Sequence, residues 1–103
     1  MSHTFDSDVR GVVLDARVTF AADEFCRLCG IRRSMLVEMV DEGVVEPVHD
    51  APEWHFDGVS VTRAQRALRL VEDLGVNWPG AALAIDLLER LERQSRRRLE
   101  PAA

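Results

Sequence analysis

Cys26-Arg27-Leu28-Cys29 places two thiols three residues apart, the spacing at which cysteines can supply half of a tetrahedral metal site or act as a redox dithiol. A metal would need two further ligands, available only from His3, His49, His55 or a carboxylate. A thioredoxin-like role would need a strand before the motif, which the sequence does not suggest. Both cysteines fall in one helical stretch with Phe25 and Leu28, where a free thiol packs as a small hydrophobe, so a structural role is expected and no metal is assigned. No Ser-His-Asp or Cys-His arrangement, glycine-rich phosphate loop or tyrosine is present, and His49 and His55 read as surface or packing residues. The expectation is a protein that is not an enzyme and holds no cofactor.

The second kind of chemistry is electrostatic. Between Ser34 and Asp57 stand Glu38, Asp41, Glu42, Glu46, Asp50, Glu53 and Asp57, with no arginine or lysine among them. Affinity for nucleic acid comes largely from cations that displace counterions from phosphate, so this stretch should be repelled by DNA. The net charge of −5 points the same way. A surface of this kind suits a basic protein partner, whose approach it would steer.

The elements that must position these acids are legible from spacing. Asp23-Glu24 open a helix, Phe25, Leu28 and Cys29 form its apolar stripe, and Gly30 ends it, with Ile31 folding back onto the stripe. Ser34 is the expected N-cap of a second helix, with Leu36, Met39 and Val40 facing inward and Gly43 closing it. The short connection between the two predicts a helix-turn-helix. Val44-Val45 and Trp54-His55-Phe56 are expected to pair as the two strands of a wing, turning Val45, Trp54 and Phe56 towards the helices. Ser60 to Leu74 predicts a third helix with Val61, Ala64, Leu68 and Val71 on one face, its arginines solvated or bridged to the acidic half. Gly75 stops it, Asn77 caps a last helix from near Trp78, and the apolar band through Leu83, Leu87, Leu88 and Leu91 is wider than one small core requires. A homodimer through this helix is the expected explanation.

At 103 residues the chain is long enough for one core, and no apolar run approaches the roughly 20 residues of a membrane span. Met1 to Arg17 lacks the pattern of a secretory signal, so a cytoplasmic location is expected. The expected organisation is a flexible segment over 1–17, with Val12 to Leu14 adding an edge strand, a winged-helix domain over 18–92, and a charged helix end and tail over 93–103.

The set Glu24-Phe25-Cys26, Gly30-Ile31, Leu36 with Val40, Gly43 to Pro47, Trp54 with Phe56-Asp57, Arg66 to Leu70, and Asp73-Leu74 leading to Asn77-Trp78-Pro79-Gly80 resembles the MerR family of regulators. Within that superfamily it is most similar to the CbpM family of chaperone modulators. The resemblance implies a mainly α fold, a MerR-like winged helix-turn-helix with a short two-stranded wing and additional C-terminal helices. It also implies binding to the J-domain of a DnaJ-like co-chaperone, CbpA, and inhibition of its co-operation with the Hsp70 DnaK and of its binding to DNA. The DnaK-facing helix of a J-domain is typically basic, which agrees with the acidic stretch. Recognition helices of MerR regulators carry a Leu-Arg-Tyr-Tyr-like run where this chain has Leu36-Val37-Glu38-Met39, and the wing arginine is missing, which counts against DNA readout. Charge and placement make Glu38, Asp41, Glu42 and Glu46 the candidate partner contacts, followed by Asp23 and Glu24. The alternative is a DNA-binding regulator of the heat-shock-repressor type, suggested by Gly75-Val76-Asn77 and using Arg32, Arg33, Arg63 and Arg66 on phosphates. A dimeric scaffold for another protein partner is the third possibility.

Overall fold

In the computed structural model, which describes residues 18–49 and 51–99, the elements run β1 (Thr19–Ala21), α1 (Ala22–Cys29), α2 (Arg33–Asp41), β2 (His55–Asp57), α3 (Gly58–Leu74) and α4 (Trp78–Leu99). Helix α1 begins directly after β1, where the Glu24 carboxylate accepts from the Ala21 N–H at 3.2 Å. That is one half of a capping box, since Ala21 has no side-chain oxygen to return the bond. Gly30 ends α1 in the left-handed conformation, φ 67°, and the Ile31 N–H reaches back to the Cys26 carbonyl at 3.0 Å. This is the glycine stop that the spacing predicts.

Helix α2 starts one residue before Ser34, with Arg32 as a cap that uses no side-chain hydrogen bond. Ser34 is exposed on the helix instead of capping it, because the chain has already left its extended conformation at Arg33. At the other end Gly43 takes φ 77°, its N–H donates to the Val40 carbonyl at 3.1 Å, and the Val44 N–H donates to the Met39 carbonyl at 2.9 Å. The two reversed bonds form a Schellman turn, which satisfies carbonyls that the helix end would otherwise leave open.

A two-stranded antiparallel sheet is present, but one of its strands is not the expected one. β2 pairs with β1, in the register Thr19 with Asp57, Phe20 with Phe56 and Ala21 with His55. Val44 and Val45 form a bend whose side chains are buried in the core, so their apolar character reports packing rather than strand pairing. The limb that follows still meets β2, through the Val48 N–H donating to the His55 carbonyl at 2.8 Å. The edge strand expected at Val12 to Leu14 lies outside the described residues.

Helix α3 begins two residues earlier than expected, because the Asp57 carboxylate caps it by accepting from the Ser60 N–H at 3.0 Å. For α4, Asn77 caps as expected, its side-chain oxygen accepting from the Gly80 N–H at 2.8 Å. The core joins all four helices and β2: Phe25, Leu36, Met39, Val44, Phe56, Val61 and Ile85 are its largest fully buried side chains. Phe25 and Phe56 lie with ring centroids 4.7 Å apart and tilted by 40°, and Trp54 meets Phe56 edge-on at 6.0 Å. Such pairs add about 0.5–1.5 kcal/mol each beyond their buried area.

Arg63 links three elements around this core. From α3 its Nε donates to the Val44 carbonyl at 2.7 Å and one terminal nitrogen to the Gly43 carbonyl at 3.4 Å, both in the turn after α2. The terminal nitrogens also pair with Asp86, at 3.0 Å, and with Glu89, both on α4. The Arg63 side chain is only 15% exposed. Nearby, Arg66 forms a two-pronged pair with Glu92 at 2.9 and 3.3 Å. Arg63 and Arg66 of α3 therefore meet the acids of α4, not those of the Ser34–Asp57 stretch.

The two cysteines are core-packing groups. A strand does precede α1, but Cys26 and Cys29 lie in the middle and at the end of the helix, away from its N-terminus, where a dipole would activate a thiol. Burial chiefly pushes the Cys29 thiol from its ordinary 9.0 up to about 12, with Cys26 adding to the effect. Burial also raises Cys26, against the opposing charge of Arg33. Among the described residues no three His, Cys, Asp or Glu side chains converge as a metal site would.

Two outcomes follow from this packing. Replacing Arg63 by alanine leaves two carbonyls and two carboxylates without their donor, and should lower unfolding stability by about 2–3 kcal/mol in chemical denaturation. Arg63→Lys should recover little, because one ammonium cannot reproduce the planar fork. At pH 8 a maleimide or iodoacetamide should modify Cys29 far more slowly in the native protein than in denaturant. The raised thiol also gives a sign: stability is fully present below about pH 9 and falls as pH rises towards the folded value.

Candidate protein-docking face

Helix α2 divides its surface cleanly. Leu36 and Met39 are fully buried, while Ser34, Val37, Glu38, Asp41 and Glu42 are exposed. Those five positions follow the i, i+3, i+4, i+7, i+8 pattern of one helix face. Of the expected contacts, Glu38, Asp41 and Glu42 are thus neighbours on a single surface. Glu46 continues it beyond the Gly43 turn, exposed at its side chain and held at its backbone by the Ser60 hydroxyl, which donates to the Glu46 carbonyl at 3.5 Å. Among the described residues no cation pairs with Glu38, Asp41, Glu42 or Glu46.

Next to this turn opens a cleft of about 430 Å³ lined by Glu46, Asp57, Val59, Arg63, Asp86 and Glu89 among others. Its acids outnumber its single arginine, so the negative character of α2 extends across the turn towards α4. The acids of α4 were missed as parts of this surface. A signal existed: Arg63 and Arg66 on one helix and Asp86, Glu89 and Glu92 on the next repeat at three-residue spacing, as facing ion-paired helix surfaces do. The Arg66 hydrogen bond holds the Glu92 carboxyl below its ordinary range, and the same bond raises Arg66. Whatever this exposed pair contributes is present above the ordinary carboxylate range and is lost as pH falls through the folded value.

Asp23 and Glu24 sit elsewhere and are already engaged. Asp23 pairs with Arg33 at 2.6 Å, and Glu24 is the capping acceptor of α1. A second open pocket, also of about 430 Å³, lies here between Ala21, Asp23, Arg33, Glu53 and Trp54. Of the four arginines named for phosphate contact, Arg33, Arg63 and Arg66 are ion-paired, and Arg32 alone has no carboxylate partner among the described residues.

The C-terminal helix presents a different surface. Leu83, Leu87, Leu88 and Leu91 are 61%, 46%, 43% and 58% exposed, so the apolar band read from the sequence is only partly covered by the chain's own core. Ala81 and Ile85, on the other side, are fully buried. No described helix is long and apolar enough to cross a membrane.

The family described as "MerR HTH family regulatory protein" matches the chain over residues 20–100. The chain is 33% identical over 90 residues to a chaperone modulatory protein CbpM of Coxiella burnetii, covering 86% of this chain and 85% of that one. It is 46% identical over 77 residues to a chaperone modulatory protein CbpM of Salmonella paratyphi B, covering 74% and 76% of the two chains. With a helix-turn-helix on which acids take the recognition surface, and with relatives alike over most of their length, the chain belongs to the CbpM family within the MerR helix-turn-helix superfamily.

Proposed function

We propose that this protein modulates a chaperone by docking the J-domain of a DnaJ-like, CbpA-type co-chaperone on the acidic face of α2 and the turn behind it. Occupying that J-domain surface would keep DnaK from it, so the mechanism is competitive inhibition. The observation that carries this reading is the set Glu38, Asp41, Glu42 and Glu46, exposed together and without a cationic partner among the described residues. Unpaired charge of one sign on a rigid helix attracts the opposite sign and speeds encounter. The engagement of Arg33, Arg63 and Arg66 in ion pairs supports a protein partner over DNA, since each of these cations already faces a carboxylate.

A second surface supports self-association. Leu83, Leu87 and Leu91 recur at i, i+4, i+8, with Leu88 beside them, and their exposure favours a homodimer through α4. Replacing Leu87 and Leu91 by glutamate should convert the dimer to a monomer in sedimentation equilibrium. A parent protein that is monomeric at 100 µM would remove this interface.

Docking is tested by calorimetric titration with the J-domain of the same organism's CbpA-like protein at two salt concentrations. Saturable binding should weaken as salt rises, and added protein should suppress J-domain stimulation of the DnaK ATPase. Glu38→Lys with Asp41→Lys should reduce affinity at least tenfold with an unchanged melting profile. Undiminished affinity in the folded double variant would take this face out of the mechanism.

A further inference from the structure

Val37 stands in the middle of the acidic face of α2, between Ser34 on one side and Asp41 on the other, and is 41% exposed. On the helix surface its neighbours one turn away are Arg33, Ser34, Val40 and Asp41, with Glu38 adjoining; Arg33 is paired with Asp23 at 2.6 Å. Nothing in the fold asks for valine here. Its side chain takes no place in the core cluster that Leu36 and Met39 fill from the opposite side. A β-branched residue is also a poorer helix former than alanine or a charged residue at an exposed site. A single exposed aliphatic is ordinary on a protein surface, but this one lies beside Glu38 and Asp41, whose carboxylates have no cationic partner among the described residues. An apolar centre with a charged rim is the anatomy of a docking patch, in which the centre loses its water and the rim sets orientation.

We infer that Val37 is the apolar anchor of the docking face, and that its occupant is a basic amphipathic helix presenting an aliphatic side chain with arginine or lysine one turn to either side. The inference rests on the docking reading above and adds to it the residue that determines what kind of basic helix is accepted. Purely basic segments would be attracted by Glu38, Asp41 and Glu42 but would leave Val37 facing a hydrated charge. A helix with an aliphatic residue in register covers Val37 and places its cations over the rim. Charge and apolar contact then separate by their response to salt. Screening weakens the rim pairs, whereas burial of Val37 is nearly indifferent to ionic strength in the physiological range.

The test is titration of the parent protein, Val37→Ala and Glu38→Lys with the same J-domain across 50 to 500 mM salt, with melting curves for each. Val37→Ala keeps a good helix former and should fold at least as well as the parent. It should bind about fivefold more weakly at every salt concentration, with the parent's salt slope. Glu38→Lys should weaken binding and flatten the slope, and Val37→Leu should bind at least as tightly as the parent. If the parent binds and Val37→Ala binds equally well throughout, the anchor is overturned while the docking face stands. If Val37→Ala changes the salt slope, the residue acts through the charges and the anchor is also overturned. If the parent does not bind at low salt, both readings fall.

Discussion

Arg63 is the constraint on which the arrangement of this protein depends. An arginine side chain that is only 15% exposed has lost much of its water, and such a group is tolerated only where its N–H donors find acceptors of good geometry. Four of the five donors do so here, on the carbonyls of Gly43 and Val44 and the carboxylates of Asp86 and Glu89. Two of those acceptors belong to the turn that ends α2, and two belong to α4. The direction in which α2 leaves its turn is therefore set by a residue of α3 and held from α4. Asp41, Glu42 and Glu46 flank that turn, so the acidic face takes its geometry from the same contacts.

Much of the fold was legible because local chemistry and tertiary packing agree. Gly30, Gly43 and Gly75 all end helices with positive φ, and Phe25, Leu36, Met39 and Val61 all occupy the core. The sheet was misread where apolar spacing serves two purposes. Val44-Val45 looks like a strand because both residues are apolar and β-branched, yet they are buried as a bend after a Schellman turn. The real partner, Thr19 to Ala21, is too short to show a period and is recognised only through its pairing with His55 to Asp57. The acidic candidates on α2 were found from charge alone, whereas their continuation towards Asp86 and Glu89 depends on how α3 and α4 meet. That is tertiary information, and the three-residue spacings only hint at it.

The helix α2 shows how a scaffold of this kind can change partners. Leu36 and Met39 fasten it to the core, and Ser34, Val37, Glu38, Asp41 and Glu42 face outward. No residue serves both faces, so the outward set can be rewritten at little cost to the fold. Cations at these positions would suit phosphate; acids suit a basic protein. Arg63 and Arg66 on α3 form ion pairs with α4, where they hold helices together.

The pairing of β1 with β2 carries a kinetic consequence. The two strands bracket the whole helix-turn-helix, so their hydrogen bonds can form only after the intervening chain, from Ala22 to Trp54, has been drawn into a closed loop. Helices α1 and α2 need only local contacts, and α3 with α4 likewise, but the strand clasp depends on partners far apart in sequence. Assembly should therefore finish at the sheet: the helical hairpins condense first, Phe56 then closes over Phe25, and the three-residue ladder locks last. During synthesis β1 must wait for β2 to emerge, and until it does, the aromatic face of α1 has no lid.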